Sequence, residues 1–397
     1  MKTIVAINSG NVGSTGRIMM GISKLARSRG YKTYQAYPKS RNLLPAGEND
    51  IIISSVPVKF MSTRMARYTG LNGCYAWFST QIFLRKLDKI RPDIIHLHNL
   101  HDSYINLPML FHYIKKNKIK VIWTLHDCWT LTGHCALFTY SGCDKWKTGC
   151  GNCPQLGQYP SSKIDTSAWM WKKKREWFTG VEDLTICTPS KWLSGLVSQS
   201  YLRGYPCKVI NNGIDLKLFR PIESDFREQF GISGDKIVLL GVAFGWGELK
   251  GLDVFIELAR RLPKEYVIVL VGTSPETDKV LPEGMISIHR TNTQEDLVKI
   301  YSAADLFVNP TREDNFPTVN IESLACGLPV LTFDTNGSPE ILDETCGAVV
   351  PYNDVDAMES EILRITRERP FSQEACIRRS RNYDREEKYE EYLKMYR

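Results

Sequence analysis

No run of about 18 apolar residues occurs anywhere in the 397 residues, so the sequence offers no transmembrane helix. The first eight residues hold only the apolar run IVAI before polar residues and glycines, far short of a secretion signal's apolar core. We expect a first strand there and a cytoplasmic protein. Low-complexity tracts and short-period repeats are also missing, which excludes solenoids, collagen-like chains and long linkers. With 43% hydrophobic and 24% charged residues, the chain is globular throughout and long enough for two α/β domains. The eleven cysteines, without a secretion signal, argue against a disulfide scaffold.

Charge is present but uneven. Residues 1–220 carry 31 Lys+Arg against 12 Asp+Glu, while residues 221–397 carry 20 against 32. A basic first half suits an anionic surface or substrate, such as phospholipid head groups, a lipid pyrophosphate or nucleic acid. Scattered solvated lysine is the plainer explanation.

Short β-branched runs alternate with amphipathic helical stretches, the mark of parallel sheets built from βαβ units. Strands are expected at TIVAIN, YKTYQAYP, DIIHLHN, KVIWTLHD, DLTICTPS and CKVIN, and again at KIVLLGVA, YVIVLVG, MISIHR, DLFVNP and PVLTFD. Helices are expected over residues 16–27, 75–90 and 107–116. The pattern implies two Rossmann-like parallel-sheet domains, residues 1–220 and 221–375, with a Cys-rich insertion at 128–165 in the first. A C-terminal segment, 376–397, ends in a charged helix whose Tyr389, Tyr392, Leu393 and Tyr396 form an apolar stripe that must dock.

Open α/β sheets bind ligands outside the carboxyl ends of their strands. The loop after DLFVNP, residues 311–317, is therefore a candidate, with a helix starting near Thr318 behind Pro317. Free N–H groups and the positive dipole end of that helix suit a nucleotide phosphate. Glu322, one turn in, can accept from vicinal ribose hydroxyls, and Asp314 can reach a sugar hydroxyl. Phe316 and Val319 flank the same start. A loop acid and a helix-capping acid would give the same pattern with no ligand. In the first half, Gly10, Gly13 and Gly16 fall at a strand-to-helix turn before Arg17, spaced G-x-x-G-x-x-G, so a dinucleotide fingerprint is not met. His126 and Asp127 end the strand KVIWTLHD, and His98 and Asn99 end the one before.

Asp314-x7-Glu322 followed by SLACGLPV resembles the Glu-x7-Glu motif of glycosyltransferase family 4, retaining enzymes of the GT-B fold. Asp replaces the usual first Glu, and Pro317 stands where a Gly often follows the Phe. Lys250-Gly251 is similar to the family's Lys-Gly element. The segment from Ile210 to Asp215 is similar to its interdomain segment, and Tyr301 to Asp305 and Gly337 to Glu340 echo others. An Arg usual five residues before the lysine is absent, since Gly245 lies there. The resemblance implies two domains facing across a cleft and a nucleotide-sugar donor, UDP- or GDP-linked. It also implies donor contacts from Lys250, Phe316, Thr318, Val319 and Glu322, a loop at Gly13 and Arg17 lining the cleft, and a C-terminal helix crossing back to the first domain. His126, Asp314 and Lys250 become the catalytic candidates, and no catalytic metal is called for. The further implication is a bacterial enzyme of exopolysaccharide, colanic acid or capsule synthesis. A GT-B-like nucleotide-sugar 2-epimerase, or a nucleic-acid-binding protein, are the competing readings; we expect no nucleic acid.

Two features stand outside the motif. Cys135, Cys143, Cys150 and Cys153 fall within 19 positions, closing in Cys-x2-Cys, and suggest a structural zinc site, with His134 as a substitute ligand; free thiols and two disulfides are the alternatives. The stretch AWMWKKKREWF, residues 168–178, joins tryptophans to four consecutive cations. It suggests an anionic membrane surface and a lipid-linked oligosaccharide acceptor at the inner face of the membrane; a packed helix with a basic face is the alternative.

Overall fold

The computed structural model describes residues 1–40 and 45–397. The chain forms two compact units: residues 1–210 joined by 389–397, and residues 211–388. The chain thus changes unit at Ile210–Asn211 rather than at 220, because Ile214 already bridges to Asp384 of the second unit and Asn212 donates to the Phe316 carbonyl.

Unit 1 holds β1 (Thr3–Ile7), β2 (Lys32–Tyr37), β3 (Asp50–Ile52), β4 (Ile94–Leu97), β5 (Lys120–Thr124), β6 (Leu184–Thr188) and β7 (Cys207–Val209). Its helices are α1 (Gly13–Ser28), α2 (Val56–Thr69), α3 (Trp77–Ile90), α4 (Leu107–Lys116), α5 (Ser167–Phe178) and α6 (Lys191–Gln199). The seven strands are parallel in the order β3-β2-β1-β4-β5-β6-β7. Unit 2 holds β8 (Ile237–Val242), β9 (Tyr266–Val271), β10 (Ile286–Ile288), β11 (Leu306–Asn309), β12 (Val330–Phe333) and β13 (Gly347–Val350). Its helices are α7 (Phe226–Gln229), α8 (Leu252–Arg261), α9 (Pro275–Asp278), α10 (Gln294–Ala303), α11 (Thr318–Ala325), α12 (Val355–Glu368), α13 (Gln373–Ser380) and the start of α14 (Arg385–Tyr396). Its six parallel strands run β10-β9-β8-β11-β12-β13.

Both orders reverse once, between β1 and β4 and between β8 and β11, the doubly wound plan whose crevice lies at the reversal. Central strands such as IVLLGV and YVIVLV are buried on both faces, as helix-covered parallel sheets require. The two parallel-sheet domains expected from the sequence are present.

The apolar stripe of α14 docks as its pattern demands. Tyr389, Tyr392, Leu393 and Tyr396 are buried against Ile4, Ile18, Ile22, Ile94 and Ile122. Gly21 on α1 makes this possible: a Cβ there would stand 2.4 Å from the Tyr389 ring. The Tyr396 hydroxyl is hydrogen-bonded to Nδ1 of the fully buried His96 at 2.7 Å.

Candidate functional site

In unit 2 the reversal point is built by two loops, one after β8 and one after β11. Lys250 ends the first and Asp314 lies in the second, and the Lys250 ammonium donates to Asp314 Oδ2 at 2.6 Å. Gly251 is why the loops close. It has φ +75, and a Cβ would stand 2.4 Å from the Pro310 carbonyl oxygen, so no other residue follows Lys250 without opening the junction. Arg312, which the sequence reading missed, is buried and clamps both loops: its guanidinium donates twice to Asp253 at 2.7 and 2.6 Å and once to Asn353 at 2.7 Å, and it also bonds the Glu248 carbonyl. The bidentate pair holds the Asp253 carboxyl below its usual range.

α11 begins at Thr318 behind Pro317, with no side chain capping it. The Asn320 N–H bonds back to the Pro317 carbonyl at 3.2 Å, which leaves the Thr318 and Val319 N–H groups without an intrahelical acceptor, at the strand-end side of the sheet. Phe316 is buried and packs edge-on to Tyr383; Thr318 and Val319 are half-buried. Glu322 accepts from the buried Tyr301 hydroxyl at 3.2 Å, which fixes one carboxylate oxygen. Lys250, Asp314, Phe316, Thr318, Val319 and Glu322 are thus gathered on two loops and one helix start of unit 2. A cavity of about 420 Å³ in this unit lies elsewhere, lined by Ile237, Asp305 and Pro329 at the opposite ends of the strands.

In unit 1 the reversal point is lined by the turn after β1 and the ends of β4 and β5. Asn8 receives the Asn99 N–H at 3.2 Å, tying β1's exit to β4's. α1 starts at Gly13, earlier than expected, with φ +73. Gly16 lies directly on the Asn11 backbone, where a Cβ would stand 2.7 Å away, and Arg17 is exposed with Nε on the Gly13 carbonyl. His126 is hydrogen-bonded to His98 at 3.0 Å, and His98 stacks on His96. Burial holds His126 at about 4, opposed by nearby Asp127; it holds His96 at about 3 and His98 well below its usual value. The column is neutral at pH 7. Beside it, His101 links Asp127 (2.9 Å) and Tyr159 (2.8 Å), a relay whose members lie too far apart in sequence to be read as one group.

The insertion brings its four cysteines to one small cavity of about 10 Å³, room for a single atom. Cys135 and Cys153 share a hydrogen bond, which raises the first thiol and brings the second to about 7; Cys150 Sγ accepts the Gly133 N–H at 3.2 Å. Among the described residues no group of three or more His, Cys, Asp or Glu side chains is already arranged to hold a metal ion. The four thiols are gathered as free cysteines. His134 lines the same cavity with Nε2 buried and lacking a hydrogen-bond partner.

The basic aromatic stretch takes the form of the packed helix that stood as its alternative. It forms α5, and Met170, Trp171, Lys174 and Phe178 face inward. Lys174 is fully buried because its ammonium donates to the carbonyls of Trp129 (2.7 Å) and Thr132 (3.0 Å) and sits 3.3 Å from the Trp129 ring centroid. The four cations are not one exposed run, and burial lowers Lys174 to about 7.

These two units are the architecture of GT-B glycosyltransferases. Solved structures with the same fold include sucrose-phosphate synthase from Thermosynechococcus elongatus (TM-score 0.70, 17% identical, covering 100% of this chain and 98% of that one). The Anabaena protein HepE in complex with UDP-glucose is another (TM-score 0.69, 14% identical, 100% and 99%). The family model described as Glycosyltransferase Family 4 matches residues 16–218, and that described as Glycosyl transferases group 1 matches residues 234–368. The chain belongs to glycosyltransferase family 4. It is 30% identical over 273 residues, 66% of this chain, to WcaC of Escherichia coli K12, named for a glycosyl transferase role in colanic acid biosynthesis. It is 29% identical over 175 residues, 41% of this chain, to D-inositol 3-phosphate glycosyltransferase of Mycolicibacterium smegmatis. The matches cover 65% and 40% of those proteins.

Proposed function

We propose that this chain moves a sugar, with retention, from a UDP- or GDP-linked donor to a lipid-linked glycan acceptor in bacterial surface polysaccharide synthesis, at the inner face of the cell membrane. The observation that carries the reading is the Lys250–Asp314 pair beside the uncapped start of α11, at the reversal point of unit 2. An ammonium and free N–H groups there meet a diphosphate's charge, and an adjacent carboxylate meets a sugar hydroxyl. Glu322, one oxygen fixed by Tyr301, is poised for ribose hydroxyls.

In the reaction, the bond from the anomeric carbon to the diphosphate oxygen breaks as the acceptor oxygen bonds to that carbon on the same face. The acceptor proton passes to the departing phosphate. Lys250 and the α11 N–H groups stabilise the charge that develops on the leaving oxygens. His126, held neutral, hydrogen-bonds a sugar hydroxyl without repelling positive charge at the anomeric centre. The Gly13 turn and Arg17 serve the acceptor side.

Screening nucleotide sugars by thermal shift and turnover tests this. At least one UDP- or GDP-sugar should stabilise the protein, and Glu322→Ala should lose the shift; unchanged binding in that variant removes the main support. Donor turnover that needs no acceptor would instead favour the epimerase. We also propose that Cys135, Cys143, Cys150 and Cys153 close on a structural zinc ion. Support comes from their common cavity, the orphaned His134 Nε2 beside it, and buried Lys174 as counter-charge to thiolates near Cys150 and Cys135. Metal analysis of purified protein should find about one zinc per chain; a trace would sink the idea.

A further inference from the structure

Helix α2 is built inside out. An amphipathic helix normally turns its apolar stripe to the core. Here only Ser62 and Ala66 are buried, while Val58, Met61, Met65 and Tyr68, spaced three, four and three apart, are exposed, with Phe60 60% exposed beside them. Helix α3 continues the theme. Its buried face is conventional (Phe83, Leu84, Leu87), yet its outer face carries Trp77, Ile82 and Phe78, the last 86% exposed. The two helices are pinned at their junction by the Thr69–Tyr75 hydroxyl pair at 2.8 Å. Large side chains do not stand out in water at this density without a partner.

Charge says which partner. Residues 56–90 contain Lys59, Arg64, Arg67, Arg85, Lys86 and Lys89, with Asp88 the one acid; Lys59 is paired with Asp102 at 2.5 Å, and the other five cations are exposed. Arg64 and Arg67 lie among the exposed apolar residues of α2, and Arg85, Lys86 and Lys89 continue the outer side of α3 past Ile82. A second copy docking face to face would set these cations against themselves. An anionic bilayer accepts both components, aromatic and methionine side chains at head-group depth and cations on lipid phosphate.

We propose that the outer faces of α2 and α3, and not α5, form the surface by which this protein sits on an anionic membrane. The inference rests on the reading of a lipid-linked acceptor and supplies its missing surface. Each Lys or Arg close to an anionic leaflet strengthens binding about fivefold, in a salt-dependent way.

Flotation of the full chain with phosphatidylethanolamine vesicles containing phosphatidylglycerol tests it, with pure phosphatidylcholine vesicles as the neutral arm. The wild type should float with anionic vesicles at low salt and be released by high salt. Arg64→Glu with Arg67→Glu should lower the bound fraction more than tenfold, and Met61→Glu with Met65→Glu should abolish flotation. Lys172→Ala with Lys173→Ala on α5 should float like wild type. All these side chains are surface groups, and an unchanged thermal midpoint verifies folding. The proposal is overturned if the wild type stays unbound, if the α2 variants float normally, or if size exclusion shows a dimer that Met61→Glu with Met65→Glu dissolves. A nucleotide-sugar thermal shift without flotation would sink this surface alone; flotation without any such shift would sink the transferase reading alone.

Discussion

The two units share a doubly wound plan but hold their reversal points together by different means. In unit 2 the loops meet through full charges: Arg312 with Asp253, Lys250 with Asp314. In unit 1 they meet mainly through neutral groups, stacked imidazoles, Asn8 on Asn99 and a hydroxyl of α14 on His96, with a single carboxylate, Asp127, held by His101 at 2.9 Å. The contrast shows that one topology prescribes where a site forms and leaves its electrostatics to a few loop residues. A crevice closed by ion pairs suits a nucleoside diphosphate; one of imidazoles, amides and a single carboxylate suits hydroxyls.

The contrast can be broken from either side. Arg312→Ala has the largest expected effect, about 3 kcal/mol of lost stability in unit 2, since a buried clamp is removed and two loops are released; denaturant unfolding measures it. Gly21→Val should cost about 1–3 kcal/mol by pressing on Tyr389 and lifting α14 from unit 1, with unit 2 unaffected. Acidification acts on unit 1 next. His96 and His126 have folded pKa values of about 3 and about 4, below the ordinary value, so the unfolded chain binds more protons between these limits. Stability is full above about pH 6.5 and falls as pH drops toward 4, by about 1.4 kcal/mol per pH unit for buried His96. A thermal midpoint flat across that range would refute neutral burial. Lys250→Ala should change stability least, under about 1 kcal/mol, because the pair is partly exposed. If the proposed function holds, it should still weaken donor affinity more than tenfold; loss of stability without loss of affinity would make the pair structural.

Much of the fold was legible because each central strand carries its own apolar run and each turn its own glycine or proline. The strands β3 and β13 escaped notice: they are short edge strands, DII and GAVV, with a ladder on one side only and little pattern to show. The placement of the candidate residues Lys250, Asp314 and Glu322 at the reversal point of unit 2 was legible because a loop after a strand and a helix start are local features. Arg312 was not, since its partners Asp253 and Asn353 are brought near only by the sheet.

The sequence by itself determined the two parallel sheets, the docking stripe of α14 and the positions of the loops that follow β8 and β11, all of which follow from periodicity and from residues a few places apart. Tertiary structure alone decided which apolar and basic residues reach solvent. The stretch AWMWKKKREWF and the helix VPVKFMSTRMARYT look alike as strings, yet Lys174 of the first is enclosed by the Trp129 ring and two carbonyls while the second turns its methionines outward. Burial depends on what the rest of the chain packs against a helix, and no local pattern contains that.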